Sequence, residues 1–154
     1  PDFLGKKIEA KEIKIAAIVA ILHPLLILAG TGLTSYLIVQ NADLAWLNNP
    51  SFHGFSEMLY ENTSAAANNG SGFEGLGDNT SLWNILTGII MLLGRFLPII
   101  GPLAIVGALA VKKPVPITAG SLKAESPAFG AVLISVILII AALAFFPALA
   151  LGHR

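Results

Sequence analysis

The chain has 154 residues, 55% of them hydrophobic and 12% charged, with a mean hydropathy of +0.79, a formal net charge of zero and no cysteine. That is membrane-protein composition; zero net charge gives no global field for nucleic acid or an acidic partner, and the lack of cysteine excludes disulfides and thiolate metal sites. The opening Pro1-Asp2-Phe3 has neither an initiator methionine nor a signal-peptide pattern, which reads as a piece of a longer polypeptide.

Residues 1–14 form a basic lead-in carrying Lys6, Lys7, Lys11 and Lys14. Ile15 to Val39 then runs without a charge, Leu82 to Val111 contains one charged residue, and Pro127 to Leu151 contains none. Each stretch reaches the roughly 20 residues that a helix needs to cross about 30 Å of hydrocarbon, so three transmembrane helices are predicted. His23-Pro24 in the first span predicts a kink beside a hydrogen-bonded histidine, in preference to a proton relay.

The segment between the first two spans, Gln40 to Ser81, has no lysine or arginine and carries Asp43, Glu57, Glu61, Glu74 and Asp78. By the positive-inside rule it faces outward, while the N-terminus and the 112–126 connector, with Lys112, Lys113 and Lys123, are cytoplasmic and the C-terminus is outside. Tyr36, Trp46, Tyr60 and Trp83 fall near the outer boundary, as an aromatic belt would. Gly70-Ser71-Gly72-Phe73-Glu74-Gly75 spells GxGxxG, but no strand precedes it and no βαβ unit surrounds it, so a dinucleotide site is not expected.

A re-entrant geometry fits that segment better. Gly54 to Ala67 has apolar residues at helical spacing over a length too short to span the bilayer but enough to reach its middle. The helix would enter from outside and point its partially negative C-terminal end inward at the loop. Gly70 could turn carbonyl oxygens toward an axis, and Asn68, Asn69 and Ser71 add neutral oxygens suited to a monovalent cation. A turn-rich external loop without a ligand is the competing reading. Asp78-Asn79-Thr80-Ser81 supplies capping side chains for the second span.

Arg95 lies near the middle of that span, where a charge is costly and must face a protein interior or a wet cavity. Beside an ion path it would act as a barrier or gate; otherwise it would brace a carboxylate elsewhere in the polypeptide. Pro98, Gly101 and Pro102 predict a kink or break just beyond it. The connector 112–126, rich in Pro, Gly, Ser and Lys, reads as a linker.

Taken together, "HGFSEMLYENTSAAANNGSGFEGL" (53–76), "LLGRFLPIIGPLAIVG" (92–107) and "FFPALALG" (145–152) resemble the C-terminal part of the KdpA family, and "LGKKIEAKEIK" at the start extends the resemblance over essentially the whole chain. KdpA is the potassium-binding, channel-like subunit of the bacterial Kdp potassium-transporting P-type ATPase. The resemblance implies four helix, pore-loop, helix repeats around one pore, of which this chain is similar to the fourth plus the final helix. It implies a filter glycine at Gly70, flanked by Asn69 and Ser71, and an ion-pathway arginine at Arg95. Ala67 stands where some relatives have a third asparagine, and Gly72 where they have alanine.

The expected fold is therefore an all-α membrane protein with three transmembrane helices, a re-entrant pore helix and a filter loop. The expected organisation is a cytoplasmic segment 1–14, the repeat at 15–111, a linker 112–126, and a final helix with an extracytoplasmic end, 127–154. Expected function is potassium binding and selection in an ATP-driven uptake complex of the bacterial inner membrane. Asn68, Asn69, Gly70 and Ser71 would bind the ion, Arg95 would be the pathway charge, and potassium would be the cargo with no other cofactor. The resemblance implies as partners the ATP-hydrolysing subunit KdpB, the small subunits KdpC and KdpF, and the remaining repeats of the same polypeptide, within the lipid bilayer and without nucleic acid. No bond-making residue is expected here, and one repeat alone cannot close a pore. The alternatives are a Trk/Ktr-type channel or symporter subunit, and a non-transporting membrane scaffold.

Overall fold

Long, predominantly apolar runs leave the backbone no better way to pair its N–H and C=O groups than helix, and helix forms along their described residues. The computed structural model describes residues 2–41, 46–116 and 126–145. Its helices are α1 (Ala10–Asn41), α2 (Phe52–Ala67), α3 (Ser81–Ala110) and α4 (Pro127–Phe145). Helices α1 and α3, with 32 and 30 residues, are long and apolar enough to cross a membrane. Helix α4 is apolar over 19 residues, and the predicted remainder of the third span, 146–151, lies outside the described residues. The 16 residues of α2 amount to about 24 Å, too short to span.

The chain divides into two compact units, residues 10–108 and residues 1–9 with 109–154. In the first unit, α1 and α3 run antiparallel, and contacts along them form a depth scale. Gly30 faces Asn62 and Ile90, His23 bonds to Gly94, and Gly101 faces Val19. One apolar cluster joins Ile38, Leu47, Met58 and Trp83. A second joins Ala65, Ala66 and Ile90 with Leu26, Ile27 and Leu86 against them. Trp83 is 1% exposed in the first cluster, so it is a core residue and not a lipid-facing member of an aromatic belt.

In the other unit, the lysine-rich start is more than a charged lead-in. Asp2–Phe3 (β1) and Lys6–Lys7 (β2) form a minimal antiparallel hairpin across Leu4-Gly5, both at positive φ, 52° and 72°, as a type I′ turn requires. Lys6 Nζ donates to the Ala110 carbonyl at 2.9 Å, placing a cation on the C-terminal end of α3. Lys112 pairs with Glu9 at 3.0 Å and donates to the Lys7 carbonyl, and Val115 N–H donates to the Gly5 carbonyl. The N-terminal segment and the residues just after α3 thus lie on the same side.

The prolines of α3 do not break it: the helix continues through Pro98 and Pro102 to Ala110. Pro98 has no N–H for the Gly94 carbonyl four residues earlier, and His23 Nε2 of α1 occupies that carbonyl at 3.0 Å. A carbonyl only accepts, so Nε2 carries the proton. His23 is therefore the hydrogen-bonded histidine, and its partner is the acceptor that Pro98 releases.

Candidate functional site

Helix α2 ends where Asn68 turns left-handed, with φ 60° and ψ 34°. Asn68 N–H donates to the Ala65 carbonyl and Asn69 N–H to the Ser64 carbonyl, both at 3.0 Å. Those two bonds are the Schellman pair, with asparagine at the position that glycine most often takes. Gly70 follows at φ +75°, and a Cβ built there meets nothing within 4 Å, so its α-carbon borders open space. The sequence-predicted residues Asn68, Asn69, Gly70 and Ser71 thus form one continuous turn. Asn69, Gly70 and Ser71 are exposed, and Asn68 is partly covered.

The loop then returns alongside the helix it left. Ser71 lies against Ser64 and Tyr60, Gly72 against Glu61, Gly75 against Asn48, and Gly77 N–H donates to the Trp46 carbonyl at 2.7 Å. Helix in and loop back out form a hairpin whose tip is the turn at 68–70. Thr80 closes it by capping α3: its Oγ1 accepts from Trp83 N–H and its carbonyl from Asn84 N–H.

The tip sits against the middle of α3. A Cβ on Gly94 would collide with the Ala66 carbonyl oxygen and lie 3.2 Å from its carbon, so the end of α2 packs directly on that glycine. Gly94 is about 20 Å along α3 from Ser81, roughly the length of α2 itself. Asn68 fastens the contact, its Nδ2 donating to the Met91 carbonyl at 3.2 Å and its Oδ1 accepting from Arg95 Nε at 3.0 Å. Arg95 therefore reaches the loop directly, and a cation stands beside the negative end of α2, the favourable placement for a helix dipole.

Two acidic residues support the hairpin. Glu57 is 2% exposed and accepts from Asn48 N–H, Asn49 N–H and Asn49 Nδ2 at 2.7–2.9 Å, tying the segment just before α2 to its first turns. Glu61 lies beside Gly72, where a Cβ would come within 2.8 Å of its Oε2. Desolvation, with Asp78 nearby, raises the Glu61 carboxyl above the usual carboxylate range. Neither residue stands out in the sequence as more than an outward-facing charge. Helical spacing between Glu57 and Glu61 shows a shared face, but not that Asn48 and Asn49 fold back onto one of them.

The sequence matches the family model described as "Potassium-transporting ATPase A subunit" over residues 1–153. It is 65% identical to a "Potassium-transporting ATPase potassium-binding subunit" of Flavobacterium johnsoniae, 58% identical to one of Phocaeicola vulgatus, and 51% identical to one of Geobacillus kaustophilus. Each match covers 99% of this chain and 27–28% of the relative, so the chain spans little more than a quarter of the curated relatives' length. A match along the whole chain, taking in the helical hairpin at 52–80 and the arginine beside its tip, places this protein in the KdpA family.

Proposed function

We propose that this chain contributes one helix, pore-loop, helix repeat and a final helix to the potassium-binding, channel-like subunit of an ATP-driven potassium uptake complex. The observation that carries the reading is a half-length helix ending at the midpoint of α3 in a left-handed turn of neutral oxygens, in a chain of the KdpA family. Irregular backbone at such a depth is stable only when it lines a cavity or is buried in protein. Asn68, Asn69, Gly70 and Ser71 supply this repeat's part of the filter, and potassium is the cargo. Backbone carbonyl oxygens of the turn, with the Asn69 amide, replace water around a monovalent ion, and the C-terminal end of α2 adds its partial negative charge. The Asn68 amide is engaged by Arg95, and the Ser71 hydroxyl by Ser64 and Tyr60.

Arg95 acts as a brace: its Nε–H holds Asn68, the residue that turns the chain into the loop. Its charge also stands next to the tip, where it opposes free passage of a second cation. The division of 1–14, 15–111, 112–126 and 127–154 follows the repeat. The lysine-bearing end, where the hairpin meets the end of α3, is the cytoplasmic side of the bacterial inner membrane. ATP hydrolysis belongs to a separate subunit, KdpB, with KdpC and KdpF completing the assembly, and other parts of the same polypeptide supply the remaining walls of the pore. The KdpA family match weighs against a Trk/Ktr-type subunit driven by ion gradients.

Gly70 gives the test. Aspartate and asparagine both tolerate the left-handed region that costs most L-residues about 1–2 kcal/mol, and a side chain there enters open space. Gly70→Asp and Gly70→Asn therefore differ in charge alone. In the full-length protein within its complex, Gly70→Asp is expected to abolish high-affinity K+ uptake or admit Na+, at unchanged membrane abundance, and Gly70→Asn to perturb it less. Wild-type uptake and selectivity in Gly70→Asp would remove the loop from the ion path.

A further inference from the structure

We infer that Tyr60 and Ser64 are positioning residues that set the width of the filter loop and thereby its discrimination among monovalent cations. The inference rests on the filter reading and adds residues to it.

Ser64 Oγ lies at the centre of the arrangement. It accepts the Ser71 backbone N–H at 2.8 Å and exchanges a hydrogen bond with Ser71 Oγ at 3.0 Å. Tyr60 OH meets the same Ser71 Oγ at 3.1 Å, one turn earlier on α2. The Tyr60 ring is itself held edge-on by Phe73, with centroids 4.9 Å apart and planes at 69°. Two consecutive turns of a rigid helix thus grip one loop residue through its backbone and its side chain, and grip the residue two further on through its ring.

The consequence follows from what the loop lacks. Gly70 has no side chain, borders open space, and occupies a backbone region that glycine leaves as readily as it enters. Nothing on Gly70 itself fixes where its carbonyl lies. Its position is inherited from its neighbours: Asn68 and Asn69 are locked by the Schellman bonds and by Arg95, and Ser71 is locked by Ser64 and Tyr60. The first set is attached to the helix terminus and to α3. The second is attached to the flank of α2, and releasing it lets the far side of the turn move while the near side stays. Potassium and rubidium differ little in radius, so a filter that distinguishes them depends on how closely its oxygens are held, whereas affinity for any one ion depends on their number and field strength. Ser64 is 4% exposed and so is sheltered from competing water, which would otherwise replace its bonds at little cost.

The experiment measures the K+/Rb+ ratio of apparent affinities, with maximal rate and membrane abundance, for Tyr60→Phe, Ser64→Ala and Ser64→Thr in the full-length protein within its complex. Tyr60→Phe keeps the ring against Phe73 and removes only the hydroxyl. Loss of one such bond is expected to reduce discrimination roughly three- to tenfold. Ser64→Ala is expected to reduce it further, and Ser64→Thr, which keeps the hydroxyl, to restore most of it, while the maximal rate changes less than the ratio. If Ser64→Ala fails to assemble, Tyr60→Phe, at an exposed position, decides alone. A wild-type ratio in Tyr60→Phe and Ser64→Ala, with Gly70→Asp still abolishing selectivity, would overturn the positioning role and leave the filter reading standing. A wild-type ratio in all three would overturn both.

Discussion

The close approach of α2 to α3 makes Gly94→Ala the most exacting perturbation of this fold. The added methyl would collide with the Ala66 carbonyl oxygen and come within 3.2–3.3 Å of the Ala66 carbonyl carbon and Cα, all of them backbone atoms that no rotamer change can move. Relief requires the end of α2 to shift away from α3, which stretches the Asn68 bond to Met91 and the Arg95 bond to Asn68. Overpacking of this kind costs about 1–3 kcal/mol, and loss of one of the two hydrogen bonds adds about 1 kcal/mol. Against this, alanine gains up to about 1 kcal/mol over glycine in helix propensity. A net loss of about 1–3 kcal/mol is expected. The same helix provides its own controls. A Cβ at Gly88 or Gly107 meets nothing within 4 Å, so alanine there is expected to be neutral or slightly stabilising. Gly101 faces the Val19 side chain, which can rotate, so its variant is expected to fall between. Thermal unfolding of the purified full-length complex in detergent, together with K+ uptake in cells at limiting potassium, reads both effects. Gly94→Ala should lower the midpoint and weaken uptake, while Gly88→Ala and Gly107→Ala retain both. If Gly94→Ala behaves like Gly88→Ala, α2 does not end against α3 and the depth assigned to the loop is wrong.

His23→Leu should cost about 1–3 kcal/mol by leaving the Gly94 carbonyl unpaired. Adding Pro98→Ala, which restores an N–H to that carbonyl, should recover part of the loss, and strict additivity of the two changes in unfolding midpoint would refute the pairing. Glu57→Gln should destabilise by about 1–3 kcal/mol, because a neutral amide accepts less strongly from Asn48 and Asn49, and proteolysis within the 46–51 segment should report it. Glu61, in the helix that does not span, has a carboxyl raised by desolvation and by Asp78, so the folded protein holds its proton to higher pH than the unfolded chain. Stability should therefore fall as pH rises from the ordinary carboxylate range through the raised value, and Glu61→Gln should flatten that slope of midpoint against pH. Gly72→Ala meets only the mobile Glu61 Oε2 at 2.8 Å and should leave uptake and stability near wild type; a severe loss would show that the Glu61 carboxylate cannot move.

Much of this protein is legible in one dimension, because the bilayer reduces folding to a question of length and polarity. Apolar runs of 25 residues or more with at most one charge favour helix, and the short amphipathic stretch at 54–67, followed by Asn-Asn-Gly, marks a shorter helix that stops at a turn. The left-handed backbone at Asn68 and Gly70 is equally open to residue type, since asparagine and glycine are the residues that tolerate it. The capping of α3 by Thr80 was equally local. What the sequence left open were the pairings between residues far apart in the chain. Arg95 had no carboxylate partner in any span, and its actual partner is the amide of Asn68, 27 positions away. Pro98 predicted a kink or break because its own helix cannot replace the lost bond; the helix runs on without a break, and His23, 71 positions from Gly94, takes up the freed carbonyl from outside. Glu57, Tyr60 and Ser64 gave no distinguishing pattern, because their roles depend on which loop folds back against α2. Trp83 matched the interfacial-aromatic pattern, yet is buried because α1, α2 and the 46–48 segment converge on it. Periodicity and length specify which segments become helix through bonds within a few residues. Which freed carbonyl, amide or ring finds its partner is settled only when α1 and the two helices that run antiparallel to it, α2 and α3, are brought together at the same depth.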